Sequence, residues 1–246
     1  MSRFAVILPA AGQSQRFNDE HYKKPFAPLA DRAVWLHTVE KFVNRDDVKQ
    51  TIVVISPEDK SLFEAKFSAN AVILGIDVVL GGDSRANSVA NALKQVREEI
   101  DYVAIHDAVR PCIASSWIDS VFKAAKDNGA AILAVPVTST LKRVKDNREI
   151  QETVSREKLW EAQTPQVFRR DLLVKAFAEN PQASTATDEA QLVEQIGHPV
   201  TVVEGSPSNM KITTKDDLRL AAEVLKLLPK PQRPGPAHPF GDDHWR

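Results

Sequence analysis

Cysteine is nearly missing from this chain: Cys112 stands alone among the 246 residues. A lone thiol cannot close an internal disulfide, and no cluster shows zinc spacing, so a reducing compartment, the cytoplasm, is the expected location. Long apolar runs are missing as well. The stretch from Phe4 to Leu8 is cut by Pro9, too short for a signal-peptide core or for the roughly 20 residues of a membrane span. No excess of one charge sign exists either, with Lys+Arg at 32 against Asp+Glu at 33 and a formal net charge of -1. Without a basic run there is no electrostatic footprint for nucleic acid, and no such partner is expected. The glycine signatures of nucleotide loops are also lacking. After Pro9-Ala10-Ala11-Gly12 the chain has neither the further glycines of G-x-G-x-x-G nor a GK[ST] element, which leaves a dinucleotide fold and a P-loop both unsupported.

What is present is an alternation of short β-rich runs with helical amphipathic segments. FAVIL (4–8), TIVVI (51–55), IDVVL (76–80), YVAIH (102–106) and AAILAVPV (130–137) are nearly continuous in apolar residues. Such runs suit strands buried on both faces of a mostly parallel sheet covered by helices, an α/β class. Ser56 before Pro57, Asp83 or Ser84 before ANSVANALKQV, and Thr214 with Asp216 and Asp217 all read as helix starts.

Two segments depart from the pattern. Residues 138–157 place Leu141, Arg143 and Val144 around the turn-like KDNRE, which predicts a hairpin reaching out from the sheet, a candidate interaction arm. From Pro229 to Arg246 proline is dense and aliphatics are scarce, so this tail is expected to be disordered and outside a single domain spanning 1–228.

Ligands of doubly wound sheets bind beyond the carboxyl ends of the strands. The residues there are Pro9 to Gly12 with Arg16, Lys23 and Lys24 beyond them, Gly81-Gly82-Asp83-Ser84-Arg85, Asp107 to Pro111, and Thr138 to Lys142. Small residues let a ligand approach the backbone, and nearby cations suit a phosphate, so this collection points to a phosphorylated ligand with a metal ion. Each part has a plainer reading beside it. A single glycine serves a tight turn, Arg16 and Lys24 could be solvated, and Asp83 could only cap a helix. Asp107 could pair with Arg110 instead of serving a metal or ribose, and His106 reads as a packed core histidine rather than a base.

Taken together, LPAAG with Arg16 and KKPF, VVLGGDSRANSV, VAIHDAVRP, PVTSTLKR, TVSREKLWEAQTPQVF, TATDEA and NMKIT resemble, in order, the motifs of the 2-C-methyl-D-erythritol 4-phosphate cytidylyltransferase family. The resemblance runs from about Phe4 to Leu228. It implies a Rossmann-like nucleotidyltransferase fold, a homodimer built through the 138–157 arm, and Mg²⁺-dependent transfer of CMP from CTP to a sugar-alcohol phosphate in non-mevalonate isoprenoid synthesis. By the same resemblance Ala10, Ala11 and Gly12 form the nucleotide wall, with Arg16, Lys24 and Lys211 as catalytic cations. Gly82, Asp83 and Ser88 take the cytosine and ribose. Asp107 serves the ribose and metal region, while Arg110, Thr164 and Thr187 gather near the reacting phosphates and the acceptor. Thr140 and Arg156 reach the acceptor phosphate in the neighbouring subunit. Gln15 stands where family members often carry a second basic residue. A ribitol 5-phosphate cytidylyltransferase shares the CTP motifs and stays open as an alternative, as does a nucleotide-binding protein without catalysis.

Overall fold

The apolar runs assemble into one seven-stranded sheet in the computed structural model, which describes residues 2–12, 17, 22–180 and 183–228. Arg16, Gln15 and the tail 229–246 lie outside the described residues. Strands β1 (Phe4–Pro9), β4 (Val48–Ile55), β5 (Asp77–Leu80), β6 (Tyr102–Ile105) and β7 (Ala130–Pro136) match the five runs read from the sequence. β10 (Trp160–Arg169) and β11 (Thr201–Glu204) complete the order β11-β7-β10-β6-β1-β4-β5. All neighbours pair in parallel except β10, which runs antiparallel to β6 and β7. Two-residue strands β2 (Pro28–Leu29) and β3 (Arg32–Ala33) form a small separate ladder.

Alternation along β1 shows why the sheet must be covered twice. Phe4, Val6 and Leu8 pack with α1 (Val34–Val43), α2 (Lys60–Ile73) and α4 (Ser115–Asn128) on one face. Ala5 and Ile7 pack with α3 (Arg85–Leu93), α5 (Arg170–Glu179) and α6 (Glu189–Gln195) on the other. The last helix, α7 (Lys215–Leu227), closes a third cluster over Val34, Val109 and Ile212.

One expectation needs correction. β5 is not buried on both faces: it is the sheet edge, and Val78 and Leu80 are exposed. An edge strand has a neighbour on one side only, so continuous apolar sequence does not by itself guarantee burial. The predicted arm is present as the hairpin β8 (Leu141–Val144) and β9 (Ile150–Val154), a separate two-stranded sheet inserted between β7 and β10.

From β1 the chain passes to β4 and β5 on one side, then returns to β6 on the other. The strand order therefore reverses at β1, and a crevice opens beyond the carboxyl ends of β1 and β6.

Candidate active site

A cleft of about 370 Å³ occupies that crevice. Ala10, Ala11 and Gly12 follow β1 and form one wall; Gly82, Asp83, Ser84, Arg85 and Ser88, beyond β5, form another. Asp107 follows β6, while Lys24 and Lys211 arrive from separate loops. Thus Ala10, Ala11, Gly12, Gly82, Asp83, Ser88 and Asp107, all seven nucleotide-binding positions named from the sequence, line one cleft.

The glycine pair is required by close packing. A Cβ on Gly81 would lie 2.7 Å from Ser88 Oγ and 2.9 Å from the Ala11 side chain, and one on Gly82 would lie 2.8 Å from Asn87 Cβ. These glycines let the second wall approach the first. Ser84, not Asp83, caps α3, accepting from the Asn87 amide at 3.0 Å. Ser88 is buried and accepts from the Gly82 amide at 3.1 Å, which fixes the backbone beside the cleft.

The two adjacent lysines have separate roles. Lys23 Nζ is tied to Asp59 at 2.9 Å and Glu58 at 3.1 Å, pinning the loop to the turn after β4. Lys24 is left facing the cleft. Lys211 is placed by the Ile212 amide, which donates to the Val109 carbonyl at 2.9 Å.

Asp107 is the electrostatic centre. Its Oδ2 receives Lys211 Nζ at 2.9 Å and Arg110 Nε at 3.3 Å, and Arg85 Nε stands 3.7 Å from Oδ1. Burial alone would push this carboxyl upward, but Lys211, Arg85 and Arg110 outweigh it and hold it well below the usual carboxylate range. It is therefore an anion at any physiological pH. The sequence left open whether Asp107 pairs with Arg110, and it does, as one contact of three. Arg110 also donates to the Asn209 carbonyl at 2.8 Å.

Behind Asp107 lies a buried polar lattice. Thr164 Oγ1 accepts from the Asp107 amide at 3.1 Å and lies 3.0 Å from His106 Nδ1, while His106 Nε2 is 3.1 Å from the Arg110 carbonyl. The bonds are mutually consistent when Nε2 carries the proton and Thr164 donates to Nδ1. Burial drives His106 down to about 4, so it stays neutral. With both nitrogens engaged and Phe42 5.1 Å away, it is a core histidine as expected, one residue beyond the end of β6. Asn209 braces the same region, donating to the Thr164 carbonyl at 2.9 Å. Thr164 thus supports Asp107 from behind, at 5% exposure.

Other named positions do not meet here within one chain. Thr187 is exposed before α6, bonded through its amide to Gln191 Oε1 at 3.0 Å. Thr140 and Arg156 are exposed on the arm.

Arg85 and Glu189 carry more of the site than their sequence positions suggested. Arg85 is the first residue of α3, and its Nη1 reaches Glu189 Oε1 at 2.6 Å. Glu189, at 1% exposure, is an acidic residue on the apolar face of a short helix. Glu189 follows Asp188 inside the TATDEA motif, and nothing in the sequence separated the buried acid from its exposed-looking neighbour.

Among the described residues no three His, Cys, Asp or Glu side chains converge on one point. An all-protein metal cage is therefore not formed among them. Among the described residues the nearest cation to Asp107 Oδ1 is Arg85 Nε at 3.7 Å, longer than a hydrogen bond, and a single open carboxylate oxygen would suit a Mg²⁺ carried mainly by its substrate.

Comparison with known proteins places these features. The family model for IspD, 2-C-methyl-D-erythritol 4-phosphate cytidylyltransferase, matches residues 4–227. The chain is similar to the protein of that name from Rhodopirellula baltica, with 42% identity over 232 residues, 90% of this chain and 94% of the relative. The Alkaliphilus oremlandii protein of the same name is 38% identical, covering 92% of this chain and 96% of its own length. Among solved structures, the Francisella tularensis cytidylyltransferase superposes with a TM-score of 0.78 at 34% identity, covering 91% of this chain and 100% of that one.

Proposed function

The chain belongs to the 2-C-methyl-D-erythritol 4-phosphate cytidylyltransferase family, and on that premise we propose how its own residues perform the reaction. The activity is transfer of CMP from CTP to 2-C-methyl-D-erythritol 4-phosphate with release of pyrophosphate, a step of non-mevalonate isoprenoid precursor synthesis. A phosphate oxygen of the acceptor attacks the α-phosphorus of CTP in line, and the bond to pyrophosphate breaks as the new one forms. A phosphomonoester with a second pKa near about 6 is already largely ionised at neutral pH. No side chain has to remove a proton. This agrees with a site whose histidine is neutral, buried and occupied at both ring nitrogens.

The difficulty is instead electrostatic, because two anions must meet and a third must leave. Lys24 and Lys211 supply positive charge on the cleft walls, and Arg16 is assigned to the triphosphate from its place in the LPAAG motif. Asp107 keeps Lys211, Arg110 and Arg85 in one arrangement before substrate arrives, so little reorganisation is needed during reaction. This cation cluster around one buried carboxylate is the observation that carries the reading. Gly82, Asp83 and Ser88 take the nucleoside, against the wall of Ala10, Ala11 and Gly12. Magnesium on the triphosphate, with Asp107 as its protein carboxylate, would supply charge neutralisation at the α-phosphorus.

The arm is assigned to a two-fold partner. Val144, Ile150, Leu159 and Trp160 are exposed apolar residues on or beside the hairpin, and a second copy of the same arm would cover them. Thr140 and Arg156 would then serve the partner's acceptor phosphate, and Thr187 the acceptor in its own subunit. The catalytic unit is taken as 1–228, and a cytoplasmic location fits the single buried cysteine, whose thiol burial pushes up to about 11. No helix among the described residues is long and apolar enough to cross a membrane.

The deciding experiment is pyrophosphate release with CTP and Mg²⁺, offering 2-C-methyl-D-erythritol 4-phosphate and ribitol 5-phosphate separately. Turnover with the first alone is expected. Equal or greater turnover with ribitol 5-phosphate would reassign the acceptor.

A further inference from the structure

Arg85 stands between two carboxylates and does not treat them equally. Its Nη1 meets Glu189 Oε1 at 2.6 Å, whereas its Nε faces Asp107 Oδ1 across 3.7 Å, longer than a hydrogen bond. The other two cations, Lys211 and Arg110, both sit on Asp107 Oδ2. Three positive groups therefore surround Asp107, yet none hydrogen-bonds Oδ1, the oxygen beside the Arg85 wall of the cleft.

Glu189 is an expensive way to hold an arginine. It is 1% exposed, its Oε2 is buried with no hydrogen-bond partner among the described residues, and its Oε1 is paired with Arg85. A buried carboxylate left half satisfied pays a desolvation penalty that its single ion pair has to offset. If the only task were to neutralise Arg85, Asp107 is adjacent and could accept it directly. Removing that second carboxylate would let the guanidinium close the remaining gap.

We propose that Glu189 is a positioning residue that competes with Asp107 for Arg85, and so keeps Asp107 Oδ1 open to the ligands of the cleft. The inference rests on the cytidylyltransferase reading above and deepens it, assigning a role to the buried acid of the TATDEA segment. It also gives α6 a route to Asp107: the link runs from Glu189 through Arg85, the first residue of α3.

The test is the sign of the coupling between two substitutions. Glu189→Gln removes the competing charge and should lower kcat/KM for cytidylyl transfer and the calorimetric affinity for Mg·CTP by about tenfold, the scale of one charge-assisted hydrogen bond. Adding Arg85→Met takes away the group that closes on Oδ1. The double variant should then be at least about threefold better than Glu189→Gln in both measurements, whichever way its melting temperature moves. A merely structural ion pair would also recover in the double variant, but then Arg85→Met alone, which leaves Glu189 buried without its partner, would lose as much as Glu189→Gln; an equal loss in Arg85→Met, or a double variant no better than Glu189→Gln, overturns the proposal. So does a Glu189→Gln enzyme with wild-type constants. If Glu189→Gln alone does not fold, the double variant, in which neither charge is buried alone, decides: retained Mg·CTP binding supports the role and its loss refutes it. Absence of turnover in the wild type would instead remove the assigned reaction, while the calorimetric comparison would still judge this point.

Discussion

Lys23 and Lys24 are neighbours with the same side chain, and only one faces the cleft. Lys23 is tied to Asp59 and Glu58, so its replacement should act through the loop it anchors, whereas Lys24 lines the cleft. Lys24→Ala and Lys211→Ala are each expected to lower kcat by about a hundredfold or more, the scale of removing one preorganised charge-stabilising donor. Circular dichroism should show both still folded, and near-wild-type turnover in either would make that lysine a surface residue. Thr164 belongs to a different kind of position. Thr164→Val keeps the shape but strands the Asp107 amide and His106 Nδ1, both buried. A loss of about 2 kcal/mol in urea unfolding is expected; an unchanged midpoint would mean that the lattice behind Asp107 relaxes without cost.

At the scale of elements, α7 shows how a helix start can be sensitive to acid. Thr214 accepts from the Asp217 amide at 3.2 Å, and Asp217 accepts from the Thr213 and Thr214 amides, each at 2.8 Å. Burial pushes Asp217 upward, but the Thr213 hydroxyl, followed by the Thr213 and Thr214 amides, outweighs it and leaves its carboxyl below the ordinary value. The unfolded chain therefore binds the proton more readily. The stabilisation is fully present above the unfolded value near about 4 and is lost as pH falls through the depressed one. Thr214→Ala should cost about 1 kcal/mol. Asp217→Asn should flatten this part of the acid dependence in melting curves between neutral pH and pH 3; an unaltered slope would show that the box contributes nothing. The same helix packs on Val109 through the cluster that contains Ile212, so its start also steadies Lys211.

For the whole molecule, the strand order places the cleft, and the arm stands apart from the main sheet as its own two-stranded ladder. Arg156 and Thr140 are exposed on the hairpin, while Lys24 and Lys211 line the cleft. If the acceptor site is shared, a dimer of one Arg156→Ala chain and one Lys24→Ala chain has one site with both defects and one with neither. Subunit exchange between the two inactive variants should restore cytidylyl transfer. A demonstrated heterodimer without activity would mean that Arg156 acts within its own chain or that the arm serves assembly only.

Five of the seven strands were legible because apolar runs in a parallel sheet are nearly continuous, a signal that survives without knowledge of neighbours. The ladder positions of β10 and β11 were not. β10 begins with exposed Trp160 and Glu161, contains Pro165 and shifts register between Ala162 and Gln166, so neither its period nor its composition announces a central antiparallel strand. β5 erred the other way, apolar in composition but placed at an edge, because edge or centre is a property of the sheet rather than of the strand. The loops beyond β1, β5 and β6 could be nominated from sequence, since cleft walls need small residues and phosphate sites need cations. Which carboxylate those cations would share could not. Electrostatic energy depends on separations of a few ångströms between residues far apart in the chain. Only folding brings Arg85, Arg110 and Lys211 onto Asp107 and sets Glu189 behind Arg85.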